Sequence, residues 1–134
     1  MGNRLTLTLV TPTRRILQTE CDEVRVPGAS GYFGVRPGHE ALLSTLDAGP
    51  LHILDGTETD AYAVVGGFAE IADDKVLILA DEAVHVDTID VDAEVAALEE
   101  ARQRYCKVQT DLLQHKLEAV SVKRHAARVA TAKL

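Results

Sequence analysis

Short runs of alternating apolar and polar residues fill the first two thirds of the chain. Leu5, Leu7 and Leu9 are separated by polar residues, the period of a strand with one buried face. Glu23–Val26 alternates again, and Lys75–Ala80 has the strongest strand pattern. Further short runs predicted as strands are Arg15–Leu17, Tyr32–Val35, Leu51–Leu54, Ala61–Val65 and Phe68–Ile71. This part of the chain is therefore predicted to consist of many short strands.

Turn signals separate these runs at regular intervals. Asp55-Gly56 and Ala72-Asp73-Asp74 are typical of hairpin turns. Gly66-Gly67 is predicted to end one strand before the next begins at Phe68. Many short strands with frequent turns favour a sandwich or a barrel.

The pattern changes to a helical one near Thr88. Neither Gly nor Pro occurs from there to Leu134, and good helix formers dominate. Asp90 is the predicted N-cap, and a break is predicted between Cys106 and Asp111, where Thr110-Asp111 could cap a second helix. The fold class is therefore predicted to be α+β, with a β domain over residues 1–87 and a helical arm over residues 88–134. The arm is either a two-helix hairpin or one long helix.

Charge is spread unevenly along the chain, whose formal net charge is −7. From Ala101 onward, eight basic and two acidic residues leave a balance of +6. The basic residues that define this arm are Arg102, Arg104, Lys107, Lys116, Lys123, Arg124 and Arg128, with Lys133 beyond them. Such asymmetry predicts contact with an acidic partner, and a solvated basic helix face is the alternative. Aromatic residues are only 4% of the chain, which argues against a nucleic-acid surface built on base stacking.

Candidate catalytic and metal-binding patterns are weak. The glycines of Gly28–Gly34 are spaced like those of a phosphate loop, but no helix follows and no Gly-Lys-Ser/Thr is present, so turn glycines are expected. The five histidines lack ligand spacing, so no metal or other cofactor is expected. His39-Glu40 could be a base and its partner, yet no nucleophile is near.

The two cysteines and the start of the chain bear on its compartment. Cys21 and Cys106 form no Cys-x-x-Cys pair, which indicates free thiols in a reducing environment. No run approaches the roughly 20 apolar residues of a membrane span, and no signal peptide is apparent. Membrane association is therefore expected only through a protein partner.

One stretch has a specific signature. Residues Val24 to Leu43 read VRVPGASGYFGVRPGHEALL, which resembles the strand and P-G-x-x-G-x-x-G-x-x-P-G-H-x-x-L-L segment of the epsilon subunits of F-type ATP synthases. Further similar stretches in the same order are Leu7–Pro12, Asp47–Ile53, Gly66–Glu70 and Val76–Ala83. The resemblance extends over the whole chain and is strongest up to Ile89.

This resemblance implies an N-terminal antiparallel β-sandwich followed by an α-helical hairpin, in a rotor subunit without an active site of its own. It implies that the sandwich binds the gamma subunit of the central stalk and rests on the c-ring, at the cytoplasmic or stromal face of the membrane. The residues expected to face the ring are Gly31, Tyr32, Phe33, Gly34, Val35, Arg36, Pro37, Gly38 and His39. The basic arm is expected to extend toward the catalytic beta and alpha subunits and to restrain ATP hydrolysis.

Some members of the family bind ATP through an I/L-D-x-x-R-A segment. Here the matching run is Ile89–Glu94, in which Ala93 replaces the arginine and Glu94 follows it. The resemblance therefore implies weak ATP binding or none. A free-standing nucleotide-sensing β domain is the alternative function, and a small hydrolase using His39 and Glu40 is a third.

Overall fold

The computed structural model describes residues 3–108 and 112–132. Eight strands come first, followed by a 3₁₀ turn at Val86–Thr88 and two α-helices. The strands are β1 (Leu5–Thr11), β2 (Arg14–Cys21), β3 (Glu23–Gly28), β4 (Gly31–Val35), β5 (Leu42–Thr45), β6 (Gly49–Asp55), β7 (Glu58–Ala72) and β8 (Lys75–His85). The helices are α1 (Val91–Lys107) and α2 (Leu112–Ala132). The predicted α+β class, with strands first and a helical hairpin last, is confirmed.

The strands form a sandwich because β7 and β8 are long enough to belong to both layers. One layer contains β2, β1, the first half of β8, the second half of β7 and β5. The other contains β4, β3, β6, the first half of β7 and the second half of β8. The pairings are antiparallel except that of β1 with β8, which is parallel. The expected antiparallel sandwich therefore contains one parallel pair.

Strand alternation builds the core between the layers. Leu5, Leu7 and Leu9 of β1 are fully buried, as the period of two predicts. Val24 of β3 and Val64 of β7 meet them from the opposite layer, in the same cluster of buried residues. The core is mostly aliphatic, as expected for a chain with few aromatic residues, although Tyr62 belongs to it. Its buried residues come from the β part of the chain and not from the described helices.

The prediction that Gly66-Gly67 ends a strand is wrong. β7 runs through both glycines, and its pairing with β8 resumes in the same register, Val65 with Glu82 and Gly67 with Ala80. Both glycines have positive φ, 66° and 103°, which residues with a side chain rarely adopt. A Cβ on Gly67 would lie 1.8 Å from the carbonyl oxygen of Leu79. The glycines therefore let β7 pass from one layer to the other instead of ending it.

The predicted hairpin turns are confirmed. Asp55-Gly56 joins β6 to β7, and Gly56 has a φ of 63°. Asp73 and Asp74 join β7 to β8 with φ of 51° and 59°. Aspartate tolerates the left-handed region better than most residues with a side chain, which explains why this pair suits the turn.

The helical part is a hairpin. The Asp90 carboxylate accepts a hydrogen bond from the Ala93 amide at 3.2 Å, which confirms Asp90 as the N-cap of α1. α1 ends at Lys107 and α2 is present from Leu112, so the predicted break is confirmed. The predicted cap at Thr110-Asp111 lies outside the described residues.

The hairpin is folded onto the sandwich. α2 packs over β6 and β7, and α1 packs against α2. On β7, every second residue points away from the core, toward α2. Three of these are nevertheless buried, and they are Ala61, Ala63 and Val65. On α2, Ala127 and Thr131 are buried one turn apart. Because these side chains are small, the contact between arm and sandwich buries little apolar area per residue.

Candidate functional site

The segment that resembles the Pro-Gly-His motif forms a tight turn at the end of β4. The His39 amide donates to the Arg36 carbonyl oxygen at 3.1 Å, and Gly38 has a φ of 90°. The Gly38 amide donates to the Asp74 carboxylate at 2.7 Å. The turn is therefore attached to the β7–β8 hairpin, which gives it a defined position.

A buried carboxylate attaches the same turn to β3. Glu23 is 8% exposed, and its two oxygens accept from the Nε atoms of Arg25 at 2.6 Å and Arg36 at 2.5 Å. These hydrogen bonds, that of Arg25 first, hold the pKa of Glu23 below its ordinary value of 4.5 against the effect of burial. Glu23 therefore stays ionised and links both arginines.

The residues expected to face a ring differ in exposure. Five of them are exposed, with Tyr32 at 57%, and these are Gly31, Tyr32, Gly34, Arg36 and Gly38. Val35 is fully buried in the core, so its side chain cannot meet a partner. Phe33 packs partly against the core as well. Only part of the expected set is therefore available, because alternate residues of a strand point to opposite faces.

Tyr32 is also placed apart from the turn at residues 36–39. It pairs with Pro27 at the start of β4, whereas the turn follows the end of this strand. Its neighbours are outward-facing residues of the layer on which α2 lies, including Pro50 and His52. The residues expected to face the ring therefore lie on two separate surfaces, one around Tyr32 and one at the turn of residues 36–39.

The basic arm meets acids of the chain itself. The Arg124 Nε lies 2.8 Å from both carboxylate oxygens of Glu82 on β8. Arg128 approaches the same carboxylate at 3.3 Å and Glu94 of α1 at 3.4 Å. The His125 Nδ1 lies 2.6 Å from the other oxygen of Glu94. We call Glu82, Glu94, Arg124, His125 and Arg128 the latch, because these residues join α2 to β8 and to α1.

The remaining cations of the arm divide into paired and exposed residues. Arg104 of α1 donates to Glu118 of α2 at 2.9 Å. Lys123 lies 3.5 Å from Asp47 of the sandwich. Three further basic residues are exposed and take part in no ion pair between described residues, and these are Arg102, Lys107 and Lys116. The acids of the latch were missed at the sequence level because they are far from the arginines along the chain.

Two exposed apolar surfaces are uncovered. On the layer remote from α2, Phe68 pairs with Leu79, and Leu43 lies diagonally across from Phe68 on β5. Their exposures are 51%, 44% and 69%. We call Leu43, Phe68 and Leu79 the apolar face. Contiguous exposed apolar residues are typical of interaction surfaces.

The second surface is on the arm. Leu113, Leu117 and Val120 are 70%, 56% and 45% exposed. Their spacing of four and three residues places them on one side of α2. This stripe remains open to solvent while the hairpin is folded onto the sandwich.

Comparison with known proteins identifies the family. Residues 4–86 match the family model described as ATP synthase, Delta/Epsilon chain, beta-sandwich domain. The ATP synthase epsilon chain of Myxococcus xanthus is 42% identical over 96% of this chain and 95% of its own.

The chain belongs to the epsilon chain family of ATP synthase.

Other relatives agree with this assignment. The epsilon chain of Anaeromyxobacter sp. (strain K) is 42% identical over 96% of this chain and 97% of its own. A chain in the structure of the Euglena gracilis mitochondrial ATP synthase, OSCP/F1/c-ring, is 30% identical, with a TM-score of 0.81 over 94% of this chain and 81% of that one. A chain of the Tetrahymena thermophila central stalk and c-ring structure shares the fold, with a TM-score of 0.63 at 18% identity over 95% of this chain and 97% of that one.

Within this epsilon chain, the segment that resembles an ATP-binding motif has other contacts. The Asp90 carboxylate caps α1, and the Glu94 carboxylate is held by His125 and Arg128. Ala93 offers no cation for a phosphate. Among the described residues, no cluster of His, Cys, Asp and Glu has the arrangement of a metal site. In the same part of the chain, neither helix has both the length and the apolar character needed to cross a bilayer.

Proposed function

We propose that this epsilon chain is a non-catalytic rotor subunit of the central stalk, coupling ion translocation to ATP synthesis and restraining ATP hydrolysis through its helical arm. The observation that carries the proposal is the latch, in which Arg124 and Arg128 of the arm share Glu82 of the sandwich. Because carboxylates of the same chain hold the arginines of the arm, carboxylates on the surface of a partner could bind these arginines instead. The two arrangements then compete for the same cations.

The sandwich is the part that binds the rotor in this proposal. Its apolar face supplies an uncovered surface for the gamma subunit, and burial of a large apolar side chain contributes about 1.5–3 kcal/mol. The turn at residues 36–39 supplies the contact with the c-ring. The hydrogen bond from Gly38 to Asp74 and the bond from Arg36 to Glu23 support this, because they brace the turn against two strands. A braced turn loses little entropy on binding and transmits force directly.

The arm is the regulatory part. Arg124 and Glu82 are 31% and 35% exposed, so solvent screens their attraction and an acidic surface can replace it. The small residues beneath α2 keep the apolar part of the contact weak. Once released, the stripe of Leu113, Leu117 and Val120 and the basic residues beside it would contact the catalytic beta and alpha subunits together. The chain would reach the membrane only through the complex.

Deletion of the arm tests the proposal. A chain ending at Thr88 retains the whole sandwich core, so it should assemble with gamma and the c-ring. ATP hydrolysis by the reconstituted complex should rise, whereas coupled ATP synthesis should persist. Unchanged hydrolysis would contradict the regulatory part of the proposal. Failure of the purified full chain to bind gamma would contradict the rotor part.

A further inference from the structure

A cleft of about 510 Å³ lies where the last turns of α2 meet the uncovered part of the sheet. Strands β3, β4 and β6 form its floor, and Ala130 of α2 forms one wall. The outward-facing residues that form it are Arg25, Tyr32, Pro50, His52 and Ala130. The volume is within the range of about 300–1,000 Å³ typical of small-molecule sites. Neither the ring-facing turn nor the latch uses this cleft.

Aromatic and apolar side chains dominate its lining. Tyr32 of β4 and Pro50 of β6 supply these side chains, whereas the Phe33 ring lies on the core side of β4, opposite Val26. The Tyr32 ring reaches over Gly49, where an added Cβ would lie 2.5 Å from the phenolic oxygen. Glycine at this position therefore lets the ring lie against the sheet. Flat apolar walls of this kind favour a planar ring system.

The polar groups of the cleft are one cation and one neutral imidazole. Arg25 and His52 are cross-strand partners. Burial first, and then the charge of Arg25, lower the pKa of His52 below its ordinary value, which leaves the ring uncharged at neutral pH. Arg25 is 55% exposed, and its Nε is directed by Glu23. Imidazole and guanidinium therefore lie together beside the apolar walls.

The local charge favours an anion. Glu23 is shared between Arg25 and Arg36, so this group of three carries a balance of +1 on a protein whose formal net charge is −7. Burial and then the charge of Asp47 raise the pKa of Tyr32, but Asp47 lies 3.5 Å from the Lys123 ammonium, so this acid is also paired. A negatively charged substituent would therefore contact Arg25 without an unpaired acid in either group. Guanidinium groups bind such oxyanions well because several donors lie in one plane.

We propose that this cleft is a binding site for a small planar aromatic anion, which bridges the sandwich and the docked arm. The ring would lie against Tyr32 and Pro50, and the anionic group would contact Arg25 and His52. Because Ala130 belongs to α2, the site is complete only when the arm is folded. A ligand that binds only this state stabilises it by mass action. The binding itself is independent of the proposed function; its effect on ATP hydrolysis depends on that function.

The test is an NMR titration of the ¹⁵N-labelled full chain with naphthalene-1-sulfonate. Amide shifts are expected to cluster at residues 32–34, 51–52 and 130. The uncharged analogue 1-naphthalenemethanol should bind about tenfold more weakly, the change that a loss of about 1.4 kcal/mol produces. Shifts confined to the apolar face at Phe68 and Leu79, or no saturable shifts, would overturn the proposal.

Two variants make the location specific. Ala130→Phe fills the cleft from the arm side and should weaken binding about tenfold or more. Ala41→Phe adds the same ring at an exposed position outside the cleft and should leave binding unchanged. If both variants bound the naphthalene sulfonate with equal affinity, the cleft would not be its binding site. Bound probe should also slow amide hydrogen exchange in residues 124–130, and unchanged exchange would overturn the bridging of arm and sandwich.

Discussion

The Arg124 Nε lies 2.8 Å from each carboxylate oxygen of Glu82, joining the last helix to the last strand of the sandwich. Forty-two residues separate the two along the chain. Arg128, one helical turn later, approaches the same carboxylate. One acid of the sandwich therefore binds two cations of the arm, and its removal should affect the docked arm more than any other part of the molecule.

Glu82→Gln should release the arm without altering the surface that the arm presents to a partner. Loss of a half-exposed ion pair should weaken docking by about 1 kcal/mol, which shifts the population about fivefold toward the released state. In the reconstituted complex, ATP hydrolysis should fall because the arm is released more often. Hydrogen exchange of α2 amides in the isolated chain should rise.

Glu58→Gln is the matched control for this substitution. Glu58 is exposed at the tip of the β6–β7 hairpin, away from the latch. It should change neither hydrolysis nor exchange. If Glu82→Gln behaves like Glu58→Gln in both measurements, the latch does not hold the arm.

Gly67→Ala should destabilise the sandwich by about 2–4 kcal/mol, since a Cβ would overlap the backbone of Leu79 and the φ of 103° is unsuited to alanine. Urea unfolding monitored by circular dichroism measures the change. Gly56→Ala separates the two causes, because Gly56 also has positive φ, 63°, but open space around its Cβ position. It should cost only about 1 kcal/mol. Equal costs would show that close packing at Gly67 is unimportant.

Stability should fall in acid through Glu23. The pKa of this carboxyl is lowered in the folded chain, first by the hydrogen bond from Arg25 and then by that from Arg36. Its contribution is therefore fully present above the ordinary value of 4.5 and is lost as pH falls through the lower folded value. The free energy of unfolding, measured at intervals between neutral pH and strong acid, should decline more steeply than in Glu23→Gln.

Glu20→Gln is the comparison for the acid dependence. Glu20 is exposed on β2 and is not part of the group around the Pro-Gly-His turn. This variant should retain the steep decline of the parent chain. A parallel decline in Glu23→Gln would contradict the role given to Glu23.

Phe68→Ser should weaken binding of the purified chain to the gamma subunit by about tenfold or more, because an exposed ring of the apolar face would no longer be buried on association. The fold should be unaffected, since Phe68 is already 51% exposed. Leu113→Ser removes an exposed apolar side chain of the arm and should leave gamma binding unchanged. Isothermal titration calorimetry distinguishes them, and similar affinities would argue against the apolar face as the gamma site.

Local patterns were sufficient for most of the fold. The alternation of Leu5, Leu7 and Leu9 identified a strand and its buried face, and Asp90 identified the start of α1. Such features depend on backbone periodicity and on hydrogen bonds over three or four residues, which neighbouring residues determine. The error at Gly66-Gly67 has the same origin, because glycine pairs usually mark turns, and only a partner strand reveals that β7 continues.

The amino-acid sequence alone predicted that strands come first and helices last, that the arm breaks between Cys106 and Asp111, which family the chain resembles and that the charge balance is basic from Ala101 onward. The folded chain was needed to show that Val35 is buried, that Glu82 and Glu94 hold the arginines of the arm, and that Tyr32 lies beside the end of α2. The physical reason is distance along the chain. Strand period and helix caps act between near neighbours, whereas ion pairs and clefts form between residues that become neighbours only when the layers and helices pack.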